Sequence, residues 1–257
     1  MFKNFAKDVK PRSRDAQLLA ELDPEKLPKH IAVIMDGNGR WAKSKGKPRL
    51  FGHRAGADSV RAIIDTCARL EIKAVTLYAF STENWKRPEA EVSGLMQMLK
   101  RYLRSELKDV HRNNIRFRAI GELSALAKDI QTELNDAMKL TAGNTGTNVN
   151  IALNYGGRAE IVRACRQAVR ELIDAERSPQ DLDESDIEAH LYTHGQPEVD
   201  LMIRTSGEFR LSNFLLWQLA YSEIYVTPTF FPDFRRTQLL EALVDFQKRE
   251  RRYGDIK

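Results

Sequence analysis

HIAVIMDGNGRW, residues 30–41, decides the architecture: five apolar residues end at an aspartate, and a turn with two glycines follows. Ile31, Ala32, Val33, Ile34 and Met35 have the length and β-branched content of a buried strand. Gly37 and Gly39 can bend the chain tightly against a ligand. The main-chain N–H groups of such a turn converge on a small volume and attract an anion. Asp36 stands beside them, where a carboxylate can hold the divalent cation that the anion brings.

Three further segments repeat this design, each a short strand running into polar residues. Residues 73–80 lead into STENWKRP, residues 149–153 into NYGGR, and residues 199–203 into RTSGEFRLSN. Ligands of a parallel α/β sheet bind outside the carboxyl ends of its strands, so Asp36, Ser81, Asn84, Arg87, Asn154, Arg204, Arg210 and Ser212 are expected to converge.

Between these segments the apolar spacing predicts helices. Val60, Ile63, Ile64, Cys67 and Ala68 mark one ending near Leu70. Val92, Leu95, Met96, Leu99, Tyr102, Leu103 and Leu107 mark a long amphipathic helix that starts after Pro88. Residues 115–120 alternate as a strand and residues 123–140 read as helix. Gly156 and Gly157 open another helix, with Ile161, Val162, Cys165, Val169 and Leu172 as its inner face. A polar connection with a short helix is expected at 179–190, a helix at 213–220, a short strand at 224–226 and a charged closing helix at 235–251.

Six strands alternating with helices predict an α/β fold: a single domain with a six-stranded, mostly parallel sheet flanked by helices. Residues 1–28 read as a polar N-terminal segment and residues 29–257 as one catalytic domain, since no Pro/Gly/Ser-rich linker divides the 257 residues. Phe2, Phe5 and Val9 among lysines could form a weak interfacial helix, but a frayed polar terminus is the plainer reading.

The excess of 41 Lys and Arg over 36 Asp and Glu gives a net charge of +5, which suits anionic ligands or an anionic membrane face. It is too mild, and too interspersed with acidic residues, for a nucleic-acid partner. Apolar runs stay far below the roughly 18 residues of a membrane span and the N-terminus lacks a secretory core, so a cytoplasmic protein is predicted. Cys67 and Cys165 lack any paired spacing and read as buried free thiols.

DGNGR alone does not name a reaction. Aspartyl-phosphate phosphatases begin similarly but need a second aspartate two residues on, where this chain has Asn38, which cannot protonate a leaving group. The turn also lacks the GxxxxGK[ST] pattern of a P-loop and the GxGxxG spacing of a dinucleotide site. What remains is an arginine-rich set: Arg40, Arg49, Arg87, Arg204 and Arg210. Guanidinium forks match phosphate oxygens in pairs. Two diphosphates would carry roughly four to six negative charges, which five arginines and one divalent cation can offset. His53 either donates to a phosphate oxygen or caps the next helix; Trp41 and Trp85 either pack in the core or wall an apolar substrate tail.

HIAVIMDGNGRWA, GHRAG, LYAFSTENWKRP, EVSGLM, NYGGR, DLMIRTSGEFRLSNFLLWQ and SEIYVTP, in this order over most of the chain, resemble the motifs of the cis-prenyltransferases. The resemblance implies sequential addition of isopentenyl diphosphate to farnesyl diphosphate with cis double bonds, Mg2+ as cofactor and a homodimer. It further implies an apolar tunnel for the growing chain and transient contact with the inner membrane face as product leaves. By position, Asp36 resembles the magnesium ligand and key catalytic carboxylate, and Glu223 a second metal ligand. Gly37, Asn38, Gly39, Arg40, Arg49 and His53 resemble the cradle of the allylic diphosphate, and Trp41, Ser81, Thr82, Glu83 and Trp85 further substrate contacts. Arg204, Arg210, Leu211 and Ser212 resemble the isopentenyl diphosphate site, with Arg87 nearby.

Asn84 matches a residue described as a proton acceptor in that family. An amide has no useful basicity near neutral pH, so orienting a water or the departing diphosphate is the expected role. Ala79 and the stripe on the helix at 92–107 are the expected tunnel wall. The chain departs from the family pattern at Phe209, where glutamine is common, and at Thr147, where a larger apolar residue often closes the tunnel end.

Overall fold

The computed structural model describes Phe5 and residues 8–249. The first decisive stretch forms β1 (His30–Ile34), buried along its whole length. Five more strands follow: β2 (Ala74–Ser81), β3 (Arg116–Ile120), β4 (Asn148–Tyr155), β5 (Leu201–Arg204) and β6 (Glu223–Val226). They form one sheet in the order β3-β4-β2-β1-β5-β6. Every pairing is parallel, so the expected "mostly parallel" sheet is parallel throughout. The chain winds outward from β1 in both directions, and strand order reverses there, which gathers the loops after β1, β2, β4 and β5 at one edge.

Eight helices cover the sheet among the described residues: α1 (Arg14–Glu21), α2 (Asn38–Ser44), α3 (Arg49–Arg69), α4 (Glu89–Arg112), α5 (Lys128–Thr141), α6 (Gly157–Asp174), α7 (Glu184–Glu188) and α8 (Arg236–Gln247). One apolar cluster joins α1, α3, α4, α5 and α8 to one sheet face through Leu18, Ile63, Leu103, Leu134 and Leu243. A smaller cluster on the other face holds Ala32, Met202, Tyr155 and Phe214.

Four expectations change. The described part of the N-terminal segment is packed instead of frayed: Phe5, Leu18 and Leu22 are buried in the main cluster, and Arg69 and Arg236 lie over the Phe5 ring. Phe2 lies outside the described residues, as do residues 250 and 251 of the predicted closing helix. Residues 213–220 form turns instead of a helix, because Ser212, Asn213 and Leu215 take positive φ angles of 49°, 61° and 43°. Asn213 is held there by accepting from the Gly157 and Arg158 N–H groups at 2.7 and 2.9 Å.

The inner face of α6 is Glu160, Ala164, Ala168 and Leu172, not the predicted set; Val162 is exposed and Cys165 only half-buried, while Cys67 is buried. A charged Glu160 can point inward because Tyr155, Gln218 and the Tyr192 N–H all donate to it. Finally, α3 begins eleven residues before Val60, so GHRAG is helix and His53 caps nothing.

Candidate active site

Asp36 leaves β1 and its carboxylate gathers three donors. Oδ1 accepts from the Gly37 N–H at 2.6 Å and lies 3.4 Å from an Arg40 nitrogen, while Oδ2 accepts from Arg204 at 2.9 Å. Gly37 caps α2 at φ 99°, and a Cβ there would meet Phe230 at 2.8 Å and Ser206 at 2.9 Å. Only glycine satisfies both constraints. Gly52 and Gly56 of α3 do the same for the helix pair: a Cβ on Gly52 would fall 1.9 Å from the Asn38 carbonyl oxygen, and one on Gly56 2.6 Å from Asn38 Oδ1. The glycines of GHRAG therefore let α3 press onto the start of α2.

Arg204 ends β5 almost wholly buried. Beyond Asp36, it donates to the Arg210 carbonyl and, at 2.8 Å, to Ser212 Oγ. Arg40 and Arg210 meet on Glu208, at 2.9 and 2.5 Å, and these hydrogen bonds, that from Arg210 first, hold its carboxyl below the usual range. Arg49 and Arg87 meet on Glu91, at 3.2 and 3.1 Å. Five guanidinium groups thus face Asp36, Glu91 and Glu208, and with Glu83 at the same mouth the local excess is one positive charge. Sequence reasoning missed Glu91 and Glu208; each stands inside a recognised motif, but a lone carboxylate among basic residues reads as solvated surface.

His53 lies between these groups. Burial first, then the neighbouring Arg87 and Arg49 against the opposing pull of Glu91, lowers its pKa to about 4. It is neutral near pH 7, and its Nε2 is buried without a protein partner. Asn38 Oδ1, Ser206 Oγ and Arg204 Nε are likewise buried and unsatisfied. Buried polar atoms are seldom left so, and several clustered at one mouth mark a place where a ligand supplies the missing bonds.

From β2 the chain turns through a 3-10 segment, Thr82–Lys86, capped by Ser81. The Asn84 amide oxygen accepts from the Ser81 N–H at 3.3 Å, so this residue shapes the turn. Burial raises the Glu83 pKa, but hydrogen bonds, led by that from Asn213 at 3.0 Å, outweigh it and keep the carboxyl ionised.

One cavity of about 690 Å³ opens at this mouth and runs between the sheet and the helices α3 and α4. Asp36, Asn38, His53, Ser81, Glu83, Asn84, Arg87, Arg204 and Ser212 line its polar end; Ala79, Leu95, Met96, Leu99, Leu103, Phe117, Val149 and Ile151 line the rest. Ala79 and the stripe on α4 from Leu95 to Leu107 thus face the cavity, while Val92 packs in the main cluster.

Several expected residues stand elsewhere. Neither tryptophan lines the cavity. Trp41 stacks on Phe51 and donates to Asp233, and Trp85 donates to Asn154 at 2.7 Å. Thr82 lies beside Gly156, whereas Leu211 packs against the smaller cluster. Thr147 is buried with its hydroxyl tied to the Ile72 carbonyl at 2.7 Å and does not line the cavity.

Glu223 is the clearest displacement. It pairs in register with Leu201 at the start of β6, whereas Val226 pairs with Arg204 beside the mouth. Glu223 therefore sits at the opposite end of its strand, ion-paired with Arg249 at 3.0 Å. Asp36 and Glu223 of one chain do not share a metal in this geometry.

The prenyltransferase family model described as "Putative undecaprenyl diphosphate synthase" matches residues 34–254. A ditrans,polycis-undecaprenyl-diphosphate synthase ((2E,6E)-farnesyl-diphosphate specific) from Vibrio cholerae is 54% identical over 233 residues, covering 91% of this chain and 93% of the relative. An isoprenyl transferase from Heliobacterium mobile is 51% identical and covers 95% of each chain. Among solved structures, lavandulyl diphosphate synthase from Lavandula x intermedia, in complex with dimethylallyl diphosphate, superposes with a TM-score of 0.87 at 39% identity, covering 90% of this chain and 100% of that one.

Proposed function

Because the chain belongs to the undecaprenyl diphosphate synthase family of prenyltransferases, we propose that it adds isopentenyl diphosphate units to (2E,6E)-farnesyl diphosphate with cis geometry, giving undecaprenyl diphosphate. One observation carries this reading: a mouth lined by Asp36, His53, Arg87 and Arg204 opens directly into an apolar cavity. A diphosphate head and a hydrocarbon tail need that juxtaposition, and a phosphomonoesterase does not.

In this reading Gly37, Asn38, Gly39, Arg40, Arg49 and His53 hold the allylic diphosphate, and Arg204, Arg210 and Ser212, with Arg87, hold isopentenyl diphosphate. The Asp36 carboxylate fits Mg2+, which takes one or two carboxylates and completes its shell with water and substrate phosphates. When bound, Mg2+ would offset charge on the departing diphosphate.

The chain's own residues do the rest. As the allylic C–O bond breaks, charge builds on the leaving diphosphate, and the Arg40 and Arg49 guanidiniums with the N–H groups at the start of α2 stabilise it. Arg204, locked by Asp36, Arg210 and Ser212, fixes the second diphosphate so that the isopentenyl double bond faces the allylic carbon. The new bond forms and the adjacent carbon gives its proton to the departing diphosphate, which Asn84 orients. The cavity excludes water from the allylic cation. The working unit is a homodimer in the cytoplasm that touches the inner membrane face as product leaves.

Incubating the purified protein with farnesyl diphosphate, radiolabelled isopentenyl diphosphate and Mg2+, then extracting lipid, tests this. Label in a polyprenyl ladder is expected; label that stays aqueous would refute the reading.

A further inference from the structure

Beyond its mouth the cavity is lined by apolar residues with one charged exception, Glu106. Met98, Tyr102 and Glu106 recur every four residues on α4, so they stand on one line along the helix. Across the seam, Arg61 of α3 donates to Glu106 at 2.8 Å and to Asp58 at 2.8 Å, and its guanidinium lies over the Tyr102 ring. The Glu106 side chain is 18% exposed and that of Arg61 48%, so the pair runs from the cavity wall out to water.

We infer that the seam held by Arg61 and Glu106 is a lateral exit through which a chain too long for the cavity leaves it, and that its opening sets how far elongation proceeds. The inference rests on the elongation reading above. A cavity of about 690 Å³ is of the size that encloses a drug-sized ligand, yet each turnover pushes five more carbons into it.

Among the described residues, the rest of the wall facing the seam is apolar. Ala57, Val60 and Ile64 of α3 and Leu99, Leu103, Leu107 and Val110 of α4 supply apolar surface, and such packing resists opening. At the far end stand Phe117 and Val149. A half-exposed ion pair opens readily because both partners regain water. Glu106 lies fifteen residues beyond Glu91, about 22 Å along the helix, so the exit stands well past the phosphate-binding mouth.

The test replaces the pair by leucines, Arg61→Leu with Glu106→Leu, and compares the product ladder with the amount of first-addition product. The ratio of full-length to first-addition product should fall at least tenfold, with intermediates accumulating. The exchanged pair, Arg61→Glu with Glu106→Arg, made with Asp58→Asn to remove the like charge beside position 61, should restore the wild-type ratio. A wild-type ratio in the leucine protein, or the same truncation in the exchanged protein, would overturn the proposal. If the double leucine protein does not fold, Glu106→Leu alone, checked by circular dichroism, gives the same reading. Absence of any first-addition product from the wild type would instead refute the elongation reading.

Discussion

Asp36 both anchors Arg204 and faces the mouth, so its removal separates structure from chemistry. In Asp36→Ala the buried Arg204 keeps the Arg210 carbonyl and Ser212 as acceptors. The variant should fold, with a loss of about 1.5–3 kcal/mol carried chiefly by the buried bond to Arg204, the Gly37 N–H and Arg40 being able to turn to water. Turnover should fall by at least ~100-fold, the order seen when one stabilising group is taken from a transition state. Circular dichroism with the radiolabel assay checks both; near wild-type rates would refute the assignment.

His30 makes a second residue-scale prediction. Its ring bonds the Pro197 carbonyl and Thr76 at 2.8 Å each, and burial lowers its pKa to about 4. The unfolded chain binds a proton near pH 6.5 that the folded chain refuses until about 4, so stability falls as pH drops through that window. At about 1.4 kcal/mol per pH unit, the full loss attributable to His30 is about 3 kcal/mol. Urea unfolding of wild type and His30→Gln at pH 7.5 and 4.5 should show a smaller acid loss in the variant; parallel losses would contradict it.

Asp36, Arg87, Arg204 and Arg210 were legible as candidates in the sequence because each stands at or soon after the end of a strand. Glu91 and Glu208 were not, since their roles depend on arginines brought together from up to 168 residues away.

At the scale of elements, the contact of α2 with α3 is set by Gly52. Gly52→Ala would drive a methyl into the Asn38 carbonyl, while Gly143→Ala meets nothing within 4 Å. Overpacking of this kind costs about 2–3 kcal/mol, so the first variant should melt roughly 5–10 °C lower and lose activity while the second changes little. Differential scanning calorimetry distinguishes them. The wall of β2 gives another test: Ala79→Leu narrows the cavity and should move the main product down by at least one isoprene unit, read on the same ladder. Unchanged chain lengths would argue against a tail lying along β2. Spacing located these strands and helices well. It failed at 213–220, where apolar residues at helical intervals sit on a backbone bent by positive φ angles. Glu223, expected from the resemblance as a second metal ligand, stands at the end of β6 away from its own chain's mouth, because a motif gives position along the chain and not which end of a strand meets the site.

The whole molecule follows from one arrangement, a parallel sheet whose strand order reverses at β1. Alternating apolar runs and helical stripes were enough to predict it, and the strand-end loops then had to share an edge. The cavity was less accessible, because an apolar stripe on α4 has the same pattern whether it packs against side chains or encloses a tail. Only the geometry shows Leu95, Leu99 and Leu103 facing open space that begins at Asp36. The most direct test is a crystal structure with farnesyl thiodiphosphate and Mg2+. The diphosphate should lie on the N–H groups at the start of α2, with Arg40 and Arg49, and the farnesyl chain between α4 and β2. A tail lying outside that cavity, or a diphosphate bound away from Asp36, would contradict the account.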